Sequence, residues 1–192
     1  MIIDTIISEL NNSKILLEKF LNDSENFRKI ENAGNLIADA INNGNKIISC
    51  GNGGSMSDAM HFAEEMTGNF RKKRRPLPAI AISDPSFITC VANDYGFSQI
   101  FSRWIEAFGN KGDILLAIST SGNSENIIKA SETAISKGMF VVSLTGKDGG
   151  KLADLSTVEI RAPFYEFSDR TQEIHIKIIH SLIQYVELKL NL

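Results

Sequence analysis

The chain has 192 residues, 43% hydrophobic and 22% charged, with a net charge of -3. That length suits one folded unit, a single domain over residues 1–192 with a sizeable core, and the acidic balance excludes the broad basic footprint of a nucleic-acid binder. No apolar run approaches the roughly 20 residues that span a bilayer, so no membrane partner is expected.

The N-terminus, Met1-Ile2-Ile3-Asp4-Thr5, lacks the basic region and apolar stretch of a secretory leader. Cys50 and Cys90 are too few and too far apart for a disulfide framework or a metal-binding pair. Set among apolar neighbours, both read as small buried hydrophobes in a reducing, cytoplasmic compartment.

In chain order, Ile3, Ile6, Ile7, Leu10, Leu16, Leu17 and Phe20 mark an apolar stripe at helical spacing. Phe27 to Ile41 repeats the pattern and stops at Asn42-Asn43-Gly44, a helix stop signal. A helical hairpin over about residues 1–43 therefore precedes the first strand, and a neighbouring subunit is a fitting place to bury its apolar face.

Short apolar runs follow, at Lys46 to Cys50, Ala79 to Ser83, Asp113 to Ser119, Phe140 to Thr145 and Val158 to Arg161. Most are continuous and β-branched, as suits strands of a parallel sheet buried on both faces. Helical segments fall between them at Met56 to Thr67, Tyr95 to Phe108, Asn123 to Lys137 and Gly150 to Leu155, and Ser168 to Leu190 closes the chain. The alternation predicts right-handed crossovers and a three-layer α/β/α sandwich.

In such sheets ligands bind beyond the carboxyl ends of the strands. After the first strand comes Gly51-Asn52-Gly53-Gly54-Ser55, which admits close approach to the main chain. It reads as a ligand loop or a plain tight turn. It is neither a Walker A loop nor a dinucleotide fingerprint.

The third strand ends in Ser119-Thr120-Ser121-Gly122-Asn123-Ser124, ahead of a helix. One hydroxyl satisfies a helix cap, whereas four exceed that need and point to a phosphate held with backbone N–H groups. The loop carries no lysine, which suits a phosphomonoester bound by neutral donors and the helix dipole.

His61 and Glu65 stand i, i+4 on one helix face, a spacing for a divalent-metal chelate, an acid–base pair or a surface ion pair. The last helix carries Gln172, His175 and His180. Gln172 and His180 are about 80° apart around the axis and about 12 Å along it, so they converge only if both side chains lean together or the helix starts irregularly. His175 points elsewhere and reads as structural. Asn93-Asp94 follow the second strand as sugar-hydroxyl ligands or turn formers. Arg71-Lys72-Lys73-Arg74-Arg75 reads as a solvated loop.

Taken together, Ser49 to Ser55, Asp58 to Glu65, Ile118 to Ser124 and Gln172-Glu173-Ile174-His175 resemble the phosphoheptose isomerases of the sugar isomerase (SIS) domain family, along nearly the whole chain. The serine-rich loop marks SIS domains generally; His61, Glu65, Gln172 and His180 together mark the catalytic branch. Met56, where the family pattern has a polar residue, and Asn69, where it often has a basic one, depart from the pattern.

The resemblance implies a flavodoxin-like, doubly wound fold with a five-stranded parallel sheet, and a homotetramer with active sites at subunit contacts. It implies conversion of D-sedoheptulose 7-phosphate to D-glycero-D-manno-heptose 7-phosphate, the first step toward the nucleotide-activated heptose of lipopolysaccharide and related surface glycans. It also implies one Zn2+ held by His61, Glu65, Gln172 and His180, with Glu65 as base and His180 as its acid–base partner. Substrate contacts would come from Asn52, Gly53, Gly54, Ser55, Glu65, Asn93, Asp94, Ser119, Thr120, Ser121, Ser124 and Gln172. A non-catalytic SIS sensor of sugar phosphates, or a relative that binds a replication initiator, would be expected to lack the His-Glu-Gln-His set.

Overall fold

The computed structural model describes residues 1–164 and 166–192. Two helices lead, α1 (Ile2–Leu21) and α2 (Ser24–Asn42). Asp23 separates them and caps α2, its carboxylate accepting from the Glu25 N–H at 3.0 Å. Then come β1 (Ile47–Gly51), α3 (Gly54–Thr67), β2 (Ala79–Ala81), α4 (Pro85–Tyr95), a 3-10 turn at Phe97–Gln99, α5 (Ile100–Phe108) and β3 (Ile114–Ser119). The chain continues through α6 (Glu125–Ser136), β4 (Phe140–Thr145), α7 (Gly150–Asp154) and β5 (Val158–Arg161) to α8 (Ser168–Lys189).

The five strands are parallel, in the order β2-β1-β3-β4-β5. This is the expected doubly wound sandwich. The order reverses between β1 and β3, the crevice where open α/β sheets take their ligands. Pleating sends successive side chains to opposite faces. Ile47, Ile114, Leu116, Ile118, Val142, Leu144 and Ile160 pack under α1, α2, α3 and α8. Ile48, Cys50, Leu115, Ala117 and Val141 pack against α4 to α7. The helices bearing His61 and His180 thus share one face of the sheet.

Several readings of the sequence are corrected. The helix expected at Tyr95 to Phe108 is a 3-10 turn followed by α5, and a further helix, α4, precedes it with Asn93 and Asp94 in its last turn. Asp84 starts that helix by accepting from the Phe87 N–H at 2.7 Å, with Pro85 in its first turn; both are ordinary helix-start residues. Cys90 faces solvent on α4, whereas Cys50 is buried in β1 as expected. β2 is a short edge strand and only half buried, since among the described residues no strand pairs with its outer side. Along α1, Leu16 and Phe20 are buried, while Ile3, Ile6, Ile7 and Leu10 remain exposed.

Asp113, just before β3, ties the start of the sheet together. Its carboxylate accepts from Lys46 Nζ at 2.5 Å, Lys46 N–H at 3.0 Å, Asn110 N–H at 2.8 Å and Asn45 Nδ2 at 3.2 Å. Burial pushes this carboxyl up, but the four donors, Lys46 foremost, hold it below the ordinary value. A depressed native pKa adds stability above the unfolded value near 3.9, and that stability is lost as pH falls through the native pKa. Asp113→Asn should therefore destabilise by about 2 kcal/mol at neutral pH. In urea titrations its deficit against wild type should shrink as the pH is lowered below about 4.

Candidate active site

α3 and α8 pack side by side and run in the same direction. Two contacts show this: Gln172 lies over Gly54, and His180 lies over His61. At Gly54 a Cβ would stand 2.6 Å from Gln172 Oε1, so any side chain there would push that carboxamide from its place. Two turns further along, the rings of His61 and His180 are 5.2 Å apart between centroids. Phe70, from the segment after α3, covers the His180 ring at 5.8 Å.

The two imidazoles meet at their Nε2 atoms, 3.3 Å apart. Glu65, one turn after His61, completes the cluster, its Oε1 lying 3.2 Å from His61 Nε2 and its Oε2 3.7 Å from His180 Nε2. Oε2 is buried and has no hydrogen-bond partner among the described residues. An unpaired buried carboxylate oxygen is costly unless a further group occupies it. The three ligand atoms lie within 4.8 Å of one another. Two imidazoles and one carboxylate so placed fit a divalent ion with an open position for substrate. A cavity of about 320 Å³ opens beside His180, bounded by Arg71, Gln184 and Tyr185.

Gln172 does not join the cluster within one chain. Its carboxamide sits at the first residue of α3, whereas Glu65 lies about 16 Å further along that helix.

Asn52, Gly53, Gly54 and Ser55 gather with the serine-rich turn at the crevice end. Gly53 has φ 56° and ψ -123°, a conformation that favours glycine, and is the N-cap of α3. Neither α3 nor α6 is capped by a side chain, although Ser124 is the N-cap of α6. The Ser119 hydroxyl donates to Ser124 Oγ at 3.2 Å, and Ser121 Oγ accepts from the Asn123 N–H at 3.2 Å. Ser121, Ser124 and Thr120 are half buried, and Ser119 is buried. Two uncapped helix N-termini flanked by hydroxyls suit a phosphate group. Asn93 and Asp94 are exposed and bonded to each other at 2.7 Å.

His175 is fully buried and its Nε2–H donates to the Thr145 carbonyl at 2.8 Å. Burial drives its pKa down to about 4, against the opposing pull of that bond, so the ring is neutral.

Three residues passed over in the sequence bear on the site. Asp58 lies one turn before His61; burial pushes its carboxyl up to about 6, with the His61 charge acting in the opposite sense. Its i, i+3 spacing to His61 was the available signal. Asn126 is buried, and its amide exchanges two hydrogen bonds with that of Asn52, at 2.9 and 2.8 Å. That pair locks the glycine-rich loop to the start of α6, and nothing in the sequence marks it across 74 residues. Arg74 is the third: it lies inside the run read as solvated, yet its side chain is 3% exposed.

The SIS domain profile matches residues 10–146, and the chain belongs to the SIS domain family. The phosphoheptose isomerase of Vibrio cholerae is 57% identical over 184 residues, 96% of each chain. That of Cytophaga hutchinsonii is 56% identical over 190 residues, 99% of this chain and 100% of its own. Among solved structures, a phosphoheptose isomerase from Francisella tularensis matches with a TM-score of 0.92 at 38% identity, over 98% of this chain and 99% of that one.

The reciprocal amide pair yields a prediction. Asn126→Leu leaves the Asn52 amide unpaired and lets the two loops drift, so a phosphomonoester should bind about tenfold more weakly by calorimetry. Unchanged affinity would show that the pair does not set the loops.

Proposed function

We propose that this chain isomerises D-sedoheptulose 7-phosphate to D-glycero-D-manno-heptose 7-phosphate through a cis-enediol, as a cytoplasmic enzyme at the head of nucleotide-activated heptose synthesis. The observation that carries the reading is the buried, unpaired Glu65 Oε2 facing His180 Nε2 at 3.7 Å, on a chain 57% identical to a phosphoheptose isomerase over almost its full length. A non-catalytic sugar-phosphate sensor has no need of such a carboxylate between two imidazoles.

Moving the carbonyl from C2 to C1 needs a base at carbon and a proton relay at oxygen. Glu65 Oε2 takes the proton from C1 while His180 gives one to the C2 oxygen, and the C1–C2 enediol results. His180 then removes the proton from the C1 hydroxyl, and Glu65 returns its proton to C2, forming the aldose. His61 holds the other carboxylate oxygen, so Oε2 is the one left for this work. His61, Glu65 and His180 would hold a Zn2+ ion, which when bound would supply Lewis-acid polarisation of the carbonyl. The phosphate, held far from the reacting carbons by Ser119, Thr120, Ser121 and Ser124 with the main chain of Gly53 and Gly54, fixes the open-chain sugar in place. Asn52, Ser55, Asn93 and Asp94 are assigned to the polyol between them.

The lengths favour a site shared between copies. In one chain Glu65 and the crevice stand at opposite ends of α3, about 16 Å apart along its axis. An extended seven-carbon sugar phosphate spans only roughly 10 Å, given bonds near 1.5 Å. One substrate would thus reach from the serine-rich turn of one copy to the triad of another, and Gln172, seated at the turn, would complete a neighbour's ligand set. A homotetramer of single-domain chains meets this need, and it would also cover the exposed Ile3, Ile6, Ile7 and Leu10 of α1.

Glu65→Gln should cut turnover about a thousandfold or more while sugar phosphate still binds; full activity would remove Glu65 as base. His180→Ala should lose both activity and metal, and Zn2+ retained at one per chain would count against the ligand set. Mixed oligomers of Glu65→Gln and Ser121→Ala chains should recover activity that neither variant has alone.

A further inference from the structure

Resting on the isomerase reading, we infer that Arg74 is a positioning residue that fixes Glu65 against His180 by clamping the far ends of α3 and α8 together.

The end of α3 leaves carbonyls without helical partners. Gly68 N–H satisfies Glu64 O at 2.7 Å, and Thr67 Oγ1 satisfies Ala63 O at 2.7 Å. The next two, Glu65 O and Met66 O, receive the Arg74 guanidinium, Nη2 at 2.7 Å and Nη1 at 2.8 Å. The same planar group turns its Nε to Glu187 Oε1 at 2.6 Å. Glu187 is on α8, two turns beyond His180 and on the same helix face. One guanidinium therefore holds the backbone of the catalytic carboxylate's own residue and the helix of its imidazole partner.

The placement argues for more than stability. Arg74 and Glu187 side chains are 3% and 6% exposed, and a pair that deeply buried gains little net stability over apolar side chains of the same volume. What apolar residues cannot reproduce is direction: three donors in a rigid fork fix Glu65 O, Met66 O and Glu187 at once. Proton transfer between carbon and carboxylate tolerates little displacement, and a shift of about 1 Å costs about a hundredfold. The neighbouring Lys72, Lys73 and Arg75 are exposed and make no such contacts among the described residues.

Two variants test this by steady-state kinetics on sedoheptulose 7-phosphate, each alongside a urea titration. Arg74→Lys keeps the charge but cannot span both carbonyls and Glu187. The double variant Arg74→Met with Glu187→Met removes both charges and leaves none buried alone. Both are expected to stay folded and to lose about tenfold or more in kcat with KM within about twofold of wild type. Wild-type kcat in either folded variant overturns the role, as does a loss that follows KM or the unfolded fraction. Wild-type protein inert toward the substrate with Zn2+ present would sink the isomerase reading and the positioning role together, a result distinct from an active wild type with unaffected variants.

Discussion

The parallel packing of α3 against α8 is the constraint from which the site follows. Neither helix carries the whole His61–Glu65–His180 cluster. His61 and Glu65 share a face because they are one turn apart, but they become a three-point cluster only when α8 lays His180 across them, Nε2 to Nε2 at 3.3 Å. Register between the helices is set at three heights: Gln172 on the bare backbone of Gly54, the paired imidazoles in the middle, and Arg74 with Glu187 at the far end. Sliding one helix by a single turn, about 5.4 Å, would break all three contacts.

The sheet sets the other half. The reversal of strand order between β1 and β3 puts the glycine-rich and serine-rich turns beside each other, and the Asn52–Asn126 amide pair joins them. The serine-rich turn and the His61–Glu65–His180 cluster thus lie on different parts of the scaffold, separated by the length of α3. On the proposed shared site, this division gives the exposed apolar residues of α1 and the position of Gln172 a common explanation, because another copy of the chain would complete both.

Much of this was legible in the sequence, for identifiable reasons. The β-branched runs at β1, β3, β4 and β5 and the glycine stop after α2 are local signals, and they located the sandwich. The i, i+4 spacing of His61 and Glu65 and the surplus of hydroxyls from Ser119 to Ser124 are likewise local. What was not legible depends on contacts distant in sequence. Arg74 looks like its solvated neighbours until Glu187, 113 residues away, is beside it. Asn126 looks like a plain helix residue until its partner across the crevice is known. The Pro85–Tyr95 helix was hidden because its half-buried, β-branched content resembles a strand's continuation, while the Asp84-Pro85 start signal was the cue to read.

The most direct test is the isomerisation of sedoheptulose 7-phosphate in D2O, followed by NMR with the Zn2+-loaded protein. A base that takes a proton from C1, exchanges it with solvent while the enediol is bound and then protonates C2 predicts aldose carrying solvent deuterium at C2, formed by wild type and absent with Glu65→Gln. Aldose formed equally fast by the Glu65→Gln chain, with the same deuterium content, would contradict the assignment of chemistry to this carboxylate and its facing imidazole.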